Sequence, residues 1–335
     1  MRWIFILAAS TLISCEVLLF EEKPNNDPIS NFDFLWNTVN ERYSLFETKG
    51  VNWDSIYHHF RPRVNANLPD QGLYDICLAM LATLRDGHVY LSGNSSIPRY
   101  PFDNSQLGPR NFNRTLINEN YLRNDYKEEG GLRYKIIDQI AYIYYESFLT
   151  EITEEHLDKL MSDLDGVRGV VLDIRDNGGG NPRFAFILGS RFIDRSLPVL
   201  YSQAKNGPGR NDYTPKEEIV LRPSTGKKFN GPLIILTNRG TFSAANLFAG
   251  MLRAFPNVRV FGTISGGGGG VPAVSELPNG WKVAYTTSRI TLANGYEIER
   301  GIPLDRQVLM TNSQTLLGRD NVIESAFTEI KSMTP

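Results

Sequence analysis

The chain has 335 residues, enough to bury a sizeable core in one large domain with room for a small appendage. Its 35 Lys plus Arg stand against 37 Asp plus Glu, which gives no charge bias toward nucleic acid or anionic lipid. With 41% hydrophobic residues, no internal repeat and no heptad, it reads as an ordinary globular chain.

Residues 1–15, MRWIFILAASTLISC, read as a targeting segment: Arg2 precedes an apolar run too short for a stable membrane anchor, followed by small residues. The ending Leu12-Ile13-Ser14-Cys15 resembles the lipobox of bacterial lipoproteins, which implies lipidation of Cys15; an ordinary secretory signal is the alternative. Residues 16–30, including the polar, Pro-bearing EEKPNNDPIS, are expected to be a tether. The second cysteine, Cys77, lies on an apolar helical face and is expected in the core, with no disulfide.

From Ser30 the pattern turns helical. Ser30 with Asp33 fits a capping box, and Phe32, Leu35, Trp36, Val39 and Tyr43 recur at helical spacing. NWDSIYHHF predicts a second helix and QGLYDICLAMLATLRDG a third, with Leu73, Ile76, Cys77, Met80, Leu81 and Leu84 on one face and Gly87 as its stop. Residues 31–92 are thus expected to be an N-terminal helical subdomain that ends in the strand HVYLS. Residues 93–132, rich in Asn, Arg, Pro and Gly, are assigned to an irregular connecting segment.

Residues 133–335 change character. LRYKIIDQIAYIYYESF predicts two strands joined by a tight turn at Asp138-Gln139. TEEHLDKLMSDL, PRFAFILGSRFI and SAANLFAGMLRAF predict helices. VRGVVLDI, GPLIILT and VRVFGTI predict buried strands, and WKVAYTTSRITLANG a hairpin. Strands alternating with helices from 169 to 263 point to a layered α/β core with right-handed crossovers.

Ser243 falls where a buried strand hands over to a helix. The first amides of a helix lack intrahelical partners and lie at its positive end, a suitable place to hold an oxyanion. A serine there can attack a carbonyl while the N–H of Ala244 helps to hold the charge; the competing reading is a helix N-cap, a role that serine fills well. The sequence is not a G-x-S-x-G elbow, so the lipase and esterase signature is absent. In DNGGGNP (176–182) a strand ends in glycines that can turn sharply and present free N–H groups, or can simply be a turn. No G-K-[ST] follows, which disfavours a phosphate loop.

Of the four histidines, adjacent His58 and His59 cannot both face one site on a helix, and His156 sits among acids at a helix start and reads as solvated surface. His88, in LRDGHVYL, stands on a tight turn into a strand, either as a base for the serine or in a structural role. There is no H-E-x-x-H and no zinc spacing, so no metal and no cofactor is expected.

LRDGHVYL, VVLDIRDNGGG, LTNRGTFSAAN and YEIERGIPLD, in this order, resemble the tricorn-core and C-terminal-processing family of serine peptidases over roughly residues 31–330. The resemblance implies a crotonase-like core of repeated β-β-α units. It implies Ser243 as nucleophile and His88 as general base. Gly179, with Gly178 as alternative, and Ala244 would supply the oxyanion amides. Glu299 would be the acid that completes the set, with Glu297 as the other choice. Four departures stand out: no lysine precedes Lys282 in the stretch after the serine, so a Ser–Lys dyad is disfavoured; Asn246 stands where the family commonly has Glu; Gly87 replaces a serine before the histidine; and Leu304 replaces a proline in Gly301-Ile302-Pro303-Leu304-Asp305. About 40 residues between His88 and the core are too few for a PDZ domain. The expectation is a lipid-anchored serine endopeptidase of the bacterial cell envelope that acts on peptides or unfolded proteins. The alternatives are a weakly catalytic peptide-binding relative and a hydrolase of another acyl substrate.

Overall fold

The computed structural model describes residues 25–93, 100–101 and 111–333; the leader, Cys15 and most of the expected tether lie outside them. The first helix, α1 (Pro28–Arg42), is capped by Asp27 rather than Ser30: the Asp27 carboxylate accepts the Ile29 and Ser30 amides and the Ser30 hydroxyl. Pro28 sets this start, because its fixed φ suits a first turn where no N–H is needed. Then come α2 (Phe46–Lys49), closed by left-handed Gly50, α3 (Trp53–Phe60), a 3₁₀ turn (Arg61–Arg63) and α4 (Asp70–Ala82).

The α4 helix stops well before Gly87. The reversal is made by Arg85 at φ 49°, a conformation uncommon without glycine. Tertiary bonds hold it there: the Arg85 guanidinium donates to the Lys49 carbonyl (2.8 Å), and the Lys49 ammonium donates to the Arg85 carbonyl (3.0 Å). Cys77 is buried in this layer as expected, and burial pushes its thiol up to about 12.

Strand β1 (Tyr90–Ser92) leaves the helices and pairs with the short β2 (Tyr100–Pro101). The segment expected to be irregular contains α5 (Arg114–Leu116), a π-helical turn (Ile117–Leu122) and β3 (Lys127–Glu129). The predicted hairpin forms as β4 (Leu132–Ile137) and β5 (Ile140–Tyr145), with Asp138 and Gln139 at φ 49° and 64°. Two successive positive φ values match the right-handed twist of the strands they join.

The rest of the core follows as α6 (Glu154–Asp163), β6 (Gly169–Asp173), α7 (Pro182–Gly189), β7 (Leu197–Ala204), β8 (Glu217–Leu221), β9 (Leu233–Thr237) and α8 (Ala244–Leu252). Strands β10 (Val258–Gly262), β11 (Pro272–Glu276), β12 (Lys282–Thr286), β13 (Ser288–Thr291) and β14 (Arg306–Gln307) come next, and the chain closes with α9 (Asn312–Leu316) and α10 (Asn321–Met333). His156 is not free surface: with Thr153 it forms the capping box of α6.

The central sheet has seven strands in the order β14-β10-β9-β6-β5-β4-β3, parallel from β14 to β5. Alternation along each strand sends Val170, Leu172, Leu233 and Ile235 to one apolar layer and Val171, Ile234 and Leu236 to the other. Burial on both faces is why these strands read as unbroken apolar runs.

The predicted 281–295 hairpin does not form. β12 and β13 are separated by Thr287 alone, too little for a hairpin loop. β12 pairs with β11 and β1, whereas β13 pairs with β7 in a second sheet, β13-β7-β8. The helical layer is closed by this late return: Leu277, Trp281, Val283 and Tyr285 pack in one cluster with Phe32, Leu35, Trp53 and Leu91. The layer expected over residues 31–92 thus also packs against residues 277–285.

Candidate active site

Strands β6, β9 and β10 are adjacent and parallel, so the three loops that follow them meet at one end of the sheet, where open α/β sheets carry their sites. Buried polar side chains stitch these loops together. The Thr241 hydroxyl donates to the Ile174 carbonyl (2.8 Å), and the Asn238 amide oxygen accepts the N–H groups of Asp176 (2.9 Å) and Gly240 (3.0 Å). Backbone bonds run from Phe242 N–H to Asn177 (3.0 Å), from Gly266 N–H to Thr241 (2.8 Å) and from Ser243 N–H to Gly267 (3.0 Å).

Clamped on both sides, Ser243 sits at φ 53°, ψ −120°, a conformation that costs a non-glycine residue about 1–3 kcal/mol. It occupies the N-cap position of α8, yet its side chain makes no capping bond. The hydroxyl instead meets His88 Nε2 at 3.1 Å. Helix capping therefore does not account for Ser243, and the sequence-predicted pair is brought together from residues far apart in the chain.

His88 comes from the loop between α4 and β1, its ring 4.8 Å from that of Phe242. Its amide donates to Asp86 Oδ1 (2.8 Å), and Asp86 Oδ2 accepts the Thr286 hydroxyl (2.8 Å), which fixes the loop against β12. Burial, and to a lesser extent the Lys49 charge, hold the imidazole below its ordinary value of 6.5 against the opposing pull of Asp86. Nδ1 is buried and has no hydrogen-bond partner among the described residues.

Glu299, the acid expected to complete the set, lies in the 3₁₀ turn Ile298–Arg300 and is 7% exposed. One carboxylate oxygen pairs with the Lys49 ammonium at 2.5 Å, and the other accepts the amides of Gly268 and Gly269, both at 2.9 Å. Its acidity is weakened by burial and by the Asp86 charge, with Lys49 acting the other way. Glu297 pairs with Arg289 and accepts the Thr48 hydroxyl. Neither acid is bonded to the histidine.

Gly179, at φ 92°, lies so close to the serine that an added Cβ would sit 2.7 Å from the Phe242 carbonyl and 2.8 Å from both Ser243 Cβ and the Ala244 nitrogen. Its N–H, expected to serve an oxyanion, is already given to Asn177 Oδ1 at 2.9 Å. The amides of Gly178 and Ala244 form no backbone hydrogen bond among the described residues. The glycine run 266–270 is packed rather than open: a Cβ on Gly267 would meet the Glu299 carbonyl at 2.3 Å, and one on Gly270 the Thr286 methyl at 2.1 Å.

Asn246 accepts the Ser265 hydroxyl (2.6 Å) and donates to the Ile298 carbonyl (3.0 Å), so this departure ties α8 to the loops behind the site. Arg175, fully buried, spans Asp173 (2.6 Å) and Asp320 (3.0 Å) and fastens the end of β6 to the cap of α10. The sequence reading had not singled out Asn177, Asn238, Thr241, Asp86 or Lys49. The first three carried a signal, being polar residues at the ends of buried strands.

A family model described as "Peptidase family S41" matches residues 139–308, just over half of the chain, and the tricorn protease C1 domain model matches residues 24–82. The chain is 30% identical over 165 residues to the carboxy-terminal processing protease CtpA of Bacillus subtilis, covering 49% of this chain and 33% of that protein. It is 31% identical over 163 residues to the chloroplastic C-terminal processing peptidase of Tetradesmus obliquus, covering 46% and 33%. It thus spans about a third of the length of these curated relatives. A crystal structure from Parabacteroides merdae, described as that of a peptidase candidate, superposes with a TM-score of 0.86 at 37% identity, over 91% of this chain and 97% of the other. The matched span carries both the glycine turn and the serine loop, and on these grounds the chain belongs to peptidase family S41.

Proposed function

We propose that this chain is a serine endopeptidase of tricorn-like mechanism that cleaves peptides or unfolded proteins through an acyl-enzyme on Ser243. The observation that carries the reading is the 3.1 Å approach of His88 Nε2 to a strained serine hydroxyl that caps nothing. His88 takes the Ser243 proton as Oγ attacks the scissile carbonyl, then passes it to the leaving amine. Water repeats the sequence on the ester, with the serine as leaving group. The amide of Ala244 and one from the 178–180 turn receive the oxyanion, each donor contributing about a hundred- to a thousandfold.

A second reading, a peptide-binding relative with weak turnover, draws support from the buried Nδ1, which has no acceptor among the described residues. Placement in the cell envelope, with a lipid on Cys15, is part of the proposal and rests on the leader sequence alone; mass spectrometry of the protein from membranes tests it.

The deciding experiment treats the chain from residue 25 onward with a small fluorophosphonate, locates the adduct by peptide mapping, and compares turnover of peptides with that of simple esters. A single adduct on Ser243 with peptide turnover is the expected result. Ester turnover alone would redirect the substrate class, and a folded, unlabelled protein would leave the binding reading.

A further inference from the structure

Lys49 ends α2, and its side chain is only 16% exposed. Among the described residues its ammonium meets the Glu299 carboxylate at 2.5 Å and the Arg85 carbonyl at 3.0 Å. One partner, Arg85, begins the loop that carries His88; the other, Glu299, holds the 266–270 loop that abuts Ser243. Arg85 is the left-handed residue that turns the chain toward Asp86 and His88. Glu299 gathers the amides of Gly268 and Gly269, and the adjacent Gly267 accepts the Ser243 N–H and is bridged to Phe242. The neighbouring Thr48 donates its hydroxyl to Glu297, so consecutive side chains of α2 grip alternate carboxylates of one short segment.

We propose that Lys49 is a positioning residue for the Ser243–His88 pair, one ammonium that fastens the base loop and the nucleophile loop to each other. The inference rests on the peptidase reading above. Without the ammonium, the Glu299 carboxylate would be buried with two amides and the Asp86 charge near it. It would take up a proton or swing toward water, and either loosens its hold on the glycine amides. The Arg85 carbonyl would lose a donor in the same event. Proton transfer across 3.1 Å needs both loops set to within a fraction of an ångström, so a small slip is costly.

The test measures the second-order rate of fluorophosphonate labelling of Ser243 across pH in the wild type, Lys49→Met, Lys49→Gln and Lys49→Arg, with circular dichroism to confirm folding. Lys49→Met is expected to label about a hundredfold more slowly. Its pH midpoint should move upward, because a cation facing His88 is gone while Asp86 remains. Lys49→Gln, which keeps a donor for the Arg85 carbonyl, should show the same upward midpoint with a smaller fall, and serves if the Met variant does not fold. Lys49→Arg should recover most of the rate. Folded variants that label at the wild-type rate, or a fall with an unmoved midpoint and no recovery by Arg, would overturn the assignment. Absence of labelling in the wild type would instead overturn the peptidase reading on which it rests.

Discussion

Ser243 and His88 lie 3.1 Å apart but are anchored in different layers. Ser243 belongs to the parallel sheet: buried Asn and Thr side chains and three backbone bonds tie its loop to those after β6 and β10, with enough force to keep it at φ 53°. His88 hangs from the helical layer on a short loop held by Asp86, and one of its ring nitrogens is buried without a partner among the described residues. The sheet thus holds Ser243 rigidly and under strain, whereas the setting of His88 depends on how well the two layers register. Damage on the nucleophile side should appear in stability as well as chemistry. Damage on the base side should appear mainly in rate and pH dependence.

The largest effect tests the pairing itself. Ser243→Ala and His88→Ala should each reduce peptide turnover by about 10⁴-fold or more, and the double variant should be no worse than either alone, because residues that act as a unit are not additive. Single-turnover kinetics on all three variants checks this. Two independent, multiplying losses would mean that the histidine does not act through the serine.

Next comes the anchoring of the sheet side. Arg175→Met leaves the fully buried Asp173 and Asp320 without their shared cation, and should cost about 3–5 kcal/mol in urea unfolding. A loss below 1 kcal/mol would show that the end of β6 does not depend on this ion pair.

Much of the sheet side was legible in the sequence, because a strand buried on both faces shows as an unbroken apolar run and its end as the glycines or polar residues that follow. DNGGG and NRGTFS could therefore be placed at neighbouring strand ends before any contact was known. The base side was harder to read. Arg85 adopts a left-handed conformation because Lys49 holds it there, and no local signal predicts that, whereas Gly87 invited the assignment. The contact of Glu299 with Lys49, a partner 250 positions earlier in the chain, has no local signal either. Strands β12 and β13 look like one hairpin because alternation reports exposure and cannot report that the chain changes sheets at Thr287.

A smaller effect probes the strain at the nucleophile. Ser243→Gly removes the nucleophile and also the steric cost of φ 53°, so it should abolish labelling while raising stability by about 1 kcal/mol relative to Ser243→Ala. Equal melting of the Gly and Ala variants would mean that the clamped loop relaxes once the serine is gone.

The subtlest prediction concerns the charge balance around His88. A general base must be neutral, and His88 is held below 6.5 chiefly by burial, so labelling of Ser243 should rise with pH to a plateau through a midpoint below 6.5. Stability carries the same sign. The unfolded chain takes up a proton at the ordinary value while the folded one resists it, so the folded state loses stability as pH falls through 6.5 toward the lower folded midpoint, and the loss is complete below both. Asp86 is the anion that opposes this shift, and it also accepts the His88 amide. Asp86→Asn keeps an oxygen for that amide but removes the charge, so the labelling midpoint should move further down and the plateau rate should fall as the imidazole becomes a weaker base. The direction is opposite to that expected when the cation at Lys49 is removed. Midpoints that move apart in the two variants would show that the helical layer tunes the base by charge; midpoints that stay together would reduce its part to holding the loop in place.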